Sequence, residues 1–545
     1  MLPILALLLA AGVSAQTADL VLTGARIYTL NPAQPVASAV AVKDGRILAV
    51  GQDVSRHVGG QTRRVDVRGG TVIPGLIDSH VHMEGLGDLL DVLDLRQVRS
   101  VAAVAELVRR EAARRPAGEW IRGRSWDQTH WGGQFPTARD LARAAPDHPV
   151  YLTRVDGHAA WVNPRALELA GVTAATPDPP GGKIIRDASG APTGVLIDRA
   201  MGLVGRRIPA PGKEVTLRRL AAAARECARL GLTTVHDAGV GVQGLAAYRE
   251  LIARGELPVR VYVMIGGPGA LWRDFLVRGP EVGDRLTVRS IKLMADGALG
   301  SRGAALLAPY DDDPGNVGLV LTPPDELARA ARIAAESGFQ LAVHAIGDRA
   351  NRAALDAFAA AGAGRDLRFR VEHAQVIAPE DIPRFAALGA VASMQPTHAT
   401  SDMPWAEARV GPRRIRGAYA WRSILKTGAH VAFGSDFPVE EASPLLGIYA
   451  AVTRQDAEGQ PAGGWRPEER LTLDEAIRAF TVEPAWAAFA EARRGVIAPG
   501  FAADLTVFDR ALAPSRTLLA ARAELVLVGG RVAYELPDRG SEISR

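Results

Sequence analysis

Eight short apolar runs, most of them ending at polar or ionisable residues and separated by helix-length stretches rich in Ala and Arg, restrict this chain's fold more than any other feature. They read "TVIPGLIDSH", "LTTVHDAG", "VRVYVMI", "VRSIKLMADG", "QLAVHAIGD", "RFRVEHAQ", "AVASMQP" and "HVAFGSDFP". Strands buried on both faces lose polar alternation, so this text predicts βα units around a parallel sheet. Eight such units predict an α/β fold, a closed (β/α)8 barrel whose catalytic groups lie at the C-terminal strand ends. With 545 residues, 48% of them hydrophobic, the chain is long enough for that barrel and additions to it.

The additions fall in two places. Residues 81–231 separate the first two runs, far beyond an ordinary crossover, so an inserted subdomain is expected at about 85–230, placed to cover the barrel mouth. At the N-terminal end, "DLVLTGARIYTL" and "AVAVKDGRILAVG" read as strands, with a turn at Asp44-Gly45. At the other end "ADLTVFD" and "AELVLVGGRVAYE" have the same character, with a turn at Gly529-Gly530, and the two ends are expected to share one sheet. In "LTLDEAIRAF", Thr472 and Glu475 have capping-box spacing, which predicts a helix starting after the last barrel strand.

The opening "MLPILALLLAAGVSAQ" has the length of a signal peptide and ends in the small-residue pattern Val13-Ser14-Ala15, although no Lys or Arg precedes it. A periplasmic or secreted protein is expected, with a cytoplasmic one as the alternative. No other segment has the roughly 18 consecutive apolar residues of a membrane span. The formal charge of +4 comes from scattered arginines, which implies neither nucleic acid nor membrane as a partner. The single cysteine, Cys227, excludes an intrachain disulfide or a cysteine metal cluster and reads as a core thiol.

His80 and His82 stand two apart at the end of the first run, so they share a face and offer two imidazole nitrogens to one metal ion. Such a pair is also compatible with a polar strand edge. Lys292, His344, His373 and Asp436 close further runs, and barrel strand ends converge on one centre, so the six could hold two metals. Each has an ordinary reading too: a hydrogen-bonded core histidine, or a helix cap for Asp436. An ammonium has no lone pair, but burial lowers a lysine pKa and frees an amine able to form a carbamate with carbon dioxide. The alternative for Lys292 is an ion pair with Asp296 or another acid.

Taken in order, "PGLIDSHVH", "WDQTHW", "DGHAAWVN", "IKLMADGALGSRGAAL", "VHAIGDRANRAALDAF", "RVEHAQ", "QPTHATSDM", "GSDFPVE" and "GVIAPGFAADLTVFD" resemble the amidohydrolase superfamily. The likeness is to its family 3, the group of the N-substituted formamide deformylases. The resemblance implies a distorted TIM barrel (71–490) with the insertion, beside a small β-sandwich formed from both chain ends (16–70 and 491–545), after a signal peptide (1–15). It also implies that His80, His82 and Asp436 bind one metal, that His344 and His373 bind another, and that Lys292 bridges them as N6-carboxylysine. Zinc is the default metal, as one or two ions, with manganese, iron or cobalt suited to the same donors. Metal-activated hydroxide would then cleave a linear amide of a small N-acyl or N-formyl compound, with Asp436 as general base and then acid. Alternatives are a cyclic amide or lactone hydrolase, a deaminase, or a non-catalytic exported binding protein. Trp126, Asp127, His158, Trp161, His236, Ser301, Arg302 and His398 lie in the same motifs and are expected to contact substrate. The expected partner is that small-molecule amide, and a homodimer is among the assemblies the sequence permits.

Overall fold

The computed structural model describes residues 16–537 except 96–97, 127, 132–133, 155–158, 180–181, 301 and 363–365, and omits the side chains of 129, 130 and 198. The signal segment expected at 1–15 lies outside the described residues. The chain divides into two compact units, one of residues 1–83 with 220–545, the other of residues 84–219.

The first unit holds the eight strands read from the sequence: β1 (Leu76–Val81), β2 (Leu232–Val240), β3 (Arg260–Gly266), β4 (Leu286–Met294), β5 (Gln340–Ala345), β6 (Arg370–His373), β7 (Val391–Met394) and β8 (His430–Phe433). They pair in sequential order, every pair parallel. The seam between β8 and β1 is bridged just beyond the strands, where Asp436 N–H donates to the His80 carbonyl (2.8 Å) and His82 N–H to that of Phe437 (2.9 Å). The barrel is therefore nearly closed, and its seam lies beside His80, His82 and Asp436. Helices between strands bury one stripe each: Pro324–Ser337 places Leu327, Ala331, Ala334 and Ala335 inward at helical spacing.

The apolar run at residues 71–80 is not one strand. Thr71–Pro74 pairs antiparallel with Leu505–Phe508 and parallel with Arg26–Tyr28, whereas β1 enters the barrel. The change of sheet falls at Gly75, where a Cβ would lie 2.3 Å from Thr233 Oγ1, so only glycine fits. The two chain ends thus share a six-stranded sheet, and with a four-stranded sheet from residues 20–66 it encloses a core of Leu22, Ile27, Val40, Val72, Leu505 and Leu527. The helix Leu473–Ala479 starts where expected, with Thr472 and Glu475 forming the reciprocal capping box.

The second unit interrupts the chain between β1 and β2. Its six-stranded mixed sheet runs Gly182–Arg186, Pro192–Asp198, Ala159–Val162, Val150–Arg154, Ile121–Trp126 and Leu93–Asp94 in spatial order. Trp126, Trp161, Leu141 and Val108 are buried in its core.

Candidate metal centre

The strand ends bring together the residues that the sequence singled out. His80 and His82 stand at the end of β1, Lys292 near the end of β4, His344 on β5, His373 at the end of β6, and Asp436 just past β8. His373 and Asp436 adopt φ of 74° and 60°. L-residues rarely adopt this region, and such backbone persists where the surroundings impose it, commonly at functional sites.

Hydrogen bonds decide which ring nitrogen of each histidine faces the centre. His80 Nδ1 lies 2.5 Å from Glu372 Oε2, and His82 Nδ1 3.0 Å from the Ala238 carbonyl. Both partners accept, so both Nδ1 atoms carry the proton and both Nε2 atoms keep their lone pairs. Those lone pairs point at one oxygen: Asp436 Oδ1 is 3.2 Å from His82 Nε2 and 3.6 Å from His80 Nε2. Asp436 Oδ1 is buried and has no hydrogen-bond partner among the described residues. Lys292 Nζ reaches only His80 Nε2, so Asp436 Oδ1 faces two imidazole lone pairs without a donor of its own, and a divalent cation among the three atoms removes the repulsion. The donor set therefore fits a metal, and His80, His82 and Asp436 meet the distance requirement for one site.

His373 follows the same rule, its Nδ1 being 2.9 Å from Gln395 Oε1, which leaves Nε2 bare. Its ring is centred 4.5 Å from that of His344 and 4.8 Å from that of His80. Burial, followed by the Lys292 charge, holds His80 down to about 4 and His344 to about 3, and burial also keeps His373 well below the usual range. All three are neutral at pH 7, the state a metal ligand requires.

His398 differs. Gln375 Nε2 lies 3.1 Å from His398 Nδ1 and 3.5 Å from Asp402 Oδ2. A carboxylate accepts only, so the amide nitrogen is the group facing Asp402, and it donates to His398 as well. The hydrogen of His398 therefore sits on Nε2, 3.7 Å from Asp436 Oδ2, with no partner among the described residues. His373, His398 and Asp436 are close enough for a second metal, but this tautomer makes His398 a donor aimed into the centre, not a ligand.

Lys292 Nζ is buried 3.2 Å from His80 Nε2, and burial pushes its pKa down to about 8. The ion pair with Asp296 does not form: that carboxylate accepts the backbone N–H groups of Ala305, Ile346 and Gly347 at 2.8–3.0 Å.

Beneath the centre lies a layer that the sequence reading missed. Arg370 Nε donates to Glu372 Oε1 (2.6 Å), and its other nitrogens reach the Ser79 carbonyl (2.6 Å), Ser393 Oγ (2.9 Å) and His236 Nδ1 (3.0 Å). Burial raises the Glu372 pKa, but Arg370 and His80 outweigh it and hold the carboxyl well below the usual range. Asp78 accepts from Ser435 N (3.0 Å), Ser435 Oγ (2.6 Å) and His80 N (3.2 Å), tying β1 to the segment that carries Asp436. The available signal was charge at i and i+2 inside an apolar strand, as in Arg370 and Glu372, which marks an inward polar face.

Four expected substrate contacts are placed as follows. Trp126 and Trp161 are fully buried in the core of the second unit, their indole N–H groups donating to the carbonyls of Leu152 and Thr137 (both 2.8 Å). His236 lies midway along β2, inside the barrel against Arg370 and Tyr262 rather than at the mouth. Arg302 is committed to Asp312 through two hydrogen bonds of 3.0 and 3.1 Å. Asp127, His158 and Ser301 lie outside the described residues.

Residues 63–534 match the profile described as "Amidohydrolase family". Protein LONG AFTER FAR-RED 3 of Arabidopsis thaliana is 36% identical over 510 residues, covering 90% of this chain and 87% of the relative. The N-substituted formamide deformylase of Arthrobacter pascens is 31% identical over 517 residues, covering 91% and 94%. Among solved structures, an uncharacterized metal-dependent hydrolase from Pyrococcus furiosus superposes with a TM-score of 0.73 at 30% identity, covering 90% of this chain and 99% of that one.

Proposed function

Because this chain belongs to the amidohydrolase family, we propose that it is a metal-dependent hydrolase of linear carbon–nitrogen bonds in small N-acyl or N-formyl compounds, with zinc as its metal. Near full-length similarity to a formamide deformylase supports the bond type. Imidazole and carboxylate donors suit zinc, while manganese, iron and cobalt accept the same set. When bound, a divalent metal lowers the pKa of water toward about 7 and polarises a carbonyl.

His80, His82 and Asp436 would hold the first ion, and His373 and His344 would take a second. Lys292 is read as N6-carboxylysine: its neutral amine would add to carbon dioxide, forming an N–C bond and releasing a proton, and the resulting carbamate would offer two oxygen donors to the metal. Its burial, lowered pKa and lack of a carboxylate partner among the described residues support this. Asp436 accepts the proton of the attacking water and returns it to the leaving nitrogen. His398 Nε2–H donates to the substrate oxygen as negative charge builds there, an oxyanion contact held ready by Gln375.

One observation carries the reading: the orphaned Asp436 Oδ1 faced by the Nε2 lone pairs of two histidines. Elemental analysis of the purified protein, joined to a screen of N-formyl amides, N-acyl amides, esters and lactones, tests it. Bound divalent metal with turnover of linear amides is expected. Stoichiometric metal with hydrolysis confined to lactones or cyclic amides overturns the substrate class, and metal-free protein that turns over overturns the mechanism.

A further inference from the structure

The end of the barrel opposite the metal centre carries a cleft of about 860 Å³ lined by seven arginines and three carboxylates. Arg260, the first residue of β3, and Arg285, just before β4, form the floor with Arg494.

The floor is over-supplied with cations. Arg260 takes both oxygens of Asp504 (2.8 and 3.0 Å) and Oδ1 of Asp284 (2.6 Å). Arg285 reaches backbone carbonyls, those of Pro258 (2.9 Å) and Val528 (3.2 Å). Arg494 donates from Nη2 to the Asp284 carbonyl (3.0 Å) and to Asp284 Oδ1 (3.5 Å), and its buried Nε, 3.7 Å from Asp504 Oδ2, makes no hydrogen bond among the described residues. Burial, followed by the charge of Arg260, holds Arg494 down to about 10 and lowers Arg285, three guanidinium groups sharing the two carboxylates Asp284 and Asp504.

At the rim, Arg225, Arg493 and Arg531 are exposed and make no side-chain hydrogen bond or ion pair among the described residues. They come from three separate chain segments yet face the same space. Ile252, Leu257 and Val532 give the cleft an apolar wall. An extended basic stripe would suit a nucleic-acid backbone. A bounded cleft with a cationic floor, free guanidinium groups at its rim and an apolar side suits a compact ligand instead.

We propose that this cleft binds a small oligophosphate, its phosphates engaging Arg493, Arg494 and Arg531 and any attached nucleoside lying on the apolar wall. Tripolyphosphate and ATP are titrated calorimetrically into the metal-loaded full-length protein and into the Arg493→Glu/Arg531→Glu double variant. Removal of metal by these ligands affects both proteins alike, so the difference between them reports the cleft. Saturable binding near one per chain is expected, weakened at least about tenfold in the double variant, with melting temperature and amide turnover unchanged. Arg225→Glu alone, on a different element, is expected to weaken binding in the same direction. Equal affinity of the two ligands assigns the site to phosphate groups alone, and tighter ATP binding assigns it to a nucleotide. Identical titrations of wild type and variants, or binding confined to duplex DNA or anionic vesicles, overturn the proposal.

Discussion

Glu372 accepts from His80 with Oε2 and from Arg370 with both oxygens, so one carboxylate sets the His80 tautomer and neutralises a buried guanidinium. Glu372→Gln keeps the shape and removes the charge, and metal affinity is expected to fall about 10–100-fold, as for other partners of metal-bound histidines. Competition against a chromogenic chelator measures this, and unchanged affinity would show that the Ala238-held His82 and Asp436 suffice. Asp436→Asn is expected to keep the fold and lower kcat by about 10²–10⁴; near wild-type turnover would remove Asp436 from the proton path. Lys292→Ala is expected to lose metal and activity and to regain part of both in formate or acetate, which fill the space of the carbamate, whereas full activity without a carboxylate would reject the bridge. The six ionisable strand-end groups were legible because burial of all other positions left them conspicuous. Mid-strand depth was not legible: His236 reads like a strand end in "LTTVHDAG", but β2 continues to Val240 and leaves it inside the barrel. The tryptophans misled for a related reason, since an indole that hydrogen-bonds a carbonyl packs in a core as readily as it lines a pocket.

All eight barrel strands were readable as elements because parallel strands are continuous apolar runs with polar ends. The change of sheet at Gly75 was hidden by that same continuity, for Thr71–Pro74 and β1 are both fully buried and no polar residue separates them. Pairing partners far apart in the chain, such as Thr71–Pro74 with Leu505–Phe508, leave only a general strand signal in either segment. The local cap of helix Leu473–Ala479, by contrast, was fully specified by residues three apart. Thr472 Oγ1 accepts from Glu475 N (3.3 Å), while Glu475 accepts from Thr472 N (2.7 Å) and from both terminal nitrogens of Arg422 (2.6 and 2.5 Å). Thr472→Ala is expected to cost about 1 kcal/mol. Arg422, ahead of the opposing effect of burial, holds Glu475 down to about 2 from an ordinary 4.5. A depressed carboxyl contributes stability that is complete above its unfolded pKa and is lost as pH falls through the folded one. The melting temperatures of wild type and Glu475→Gln should therefore differ at pH 7 and converge between pH 4.5 and about 2. A gap that stays constant over that range would assign the effect to the shape of the cap and not to its charge.

At the scale of the molecule, the unit that carries the metal centre is discontinuous, built from residues before 84 and after 219. Its assembly depends on the last forty or so residues in two separable ways. Leu505–Phe508 fills the antiparallel edge of Thr71–Pro74, which runs through Gly75 directly into β1 and the histidine pair. Asp504 neutralises Arg260, whose side chain is 3% exposed at the start of β3. Truncation after Gly500 exposes a flat apolar strand edge, a template for aggregation, and leaves the buried Arg260 guanidinium with Asp284 alone as carboxylate partner, at a cost of about 1–3 kcal/mol. The truncated chain is expected to lack a cooperative thermal transition and to elute as aggregate, although every metal ligand remains present in it. Asp504→Asn separates the two causes. It keeps the strand and removes only the charge, so it should remain monodisperse and bind metal while melting several degrees lower. Circular dichroism melts with size-exclusion chromatography and elemental analysis read all three properties. A truncated chain that binds metal and melts within a few degrees of wild type would show that the barrel folds without the sheet shared by its two ends.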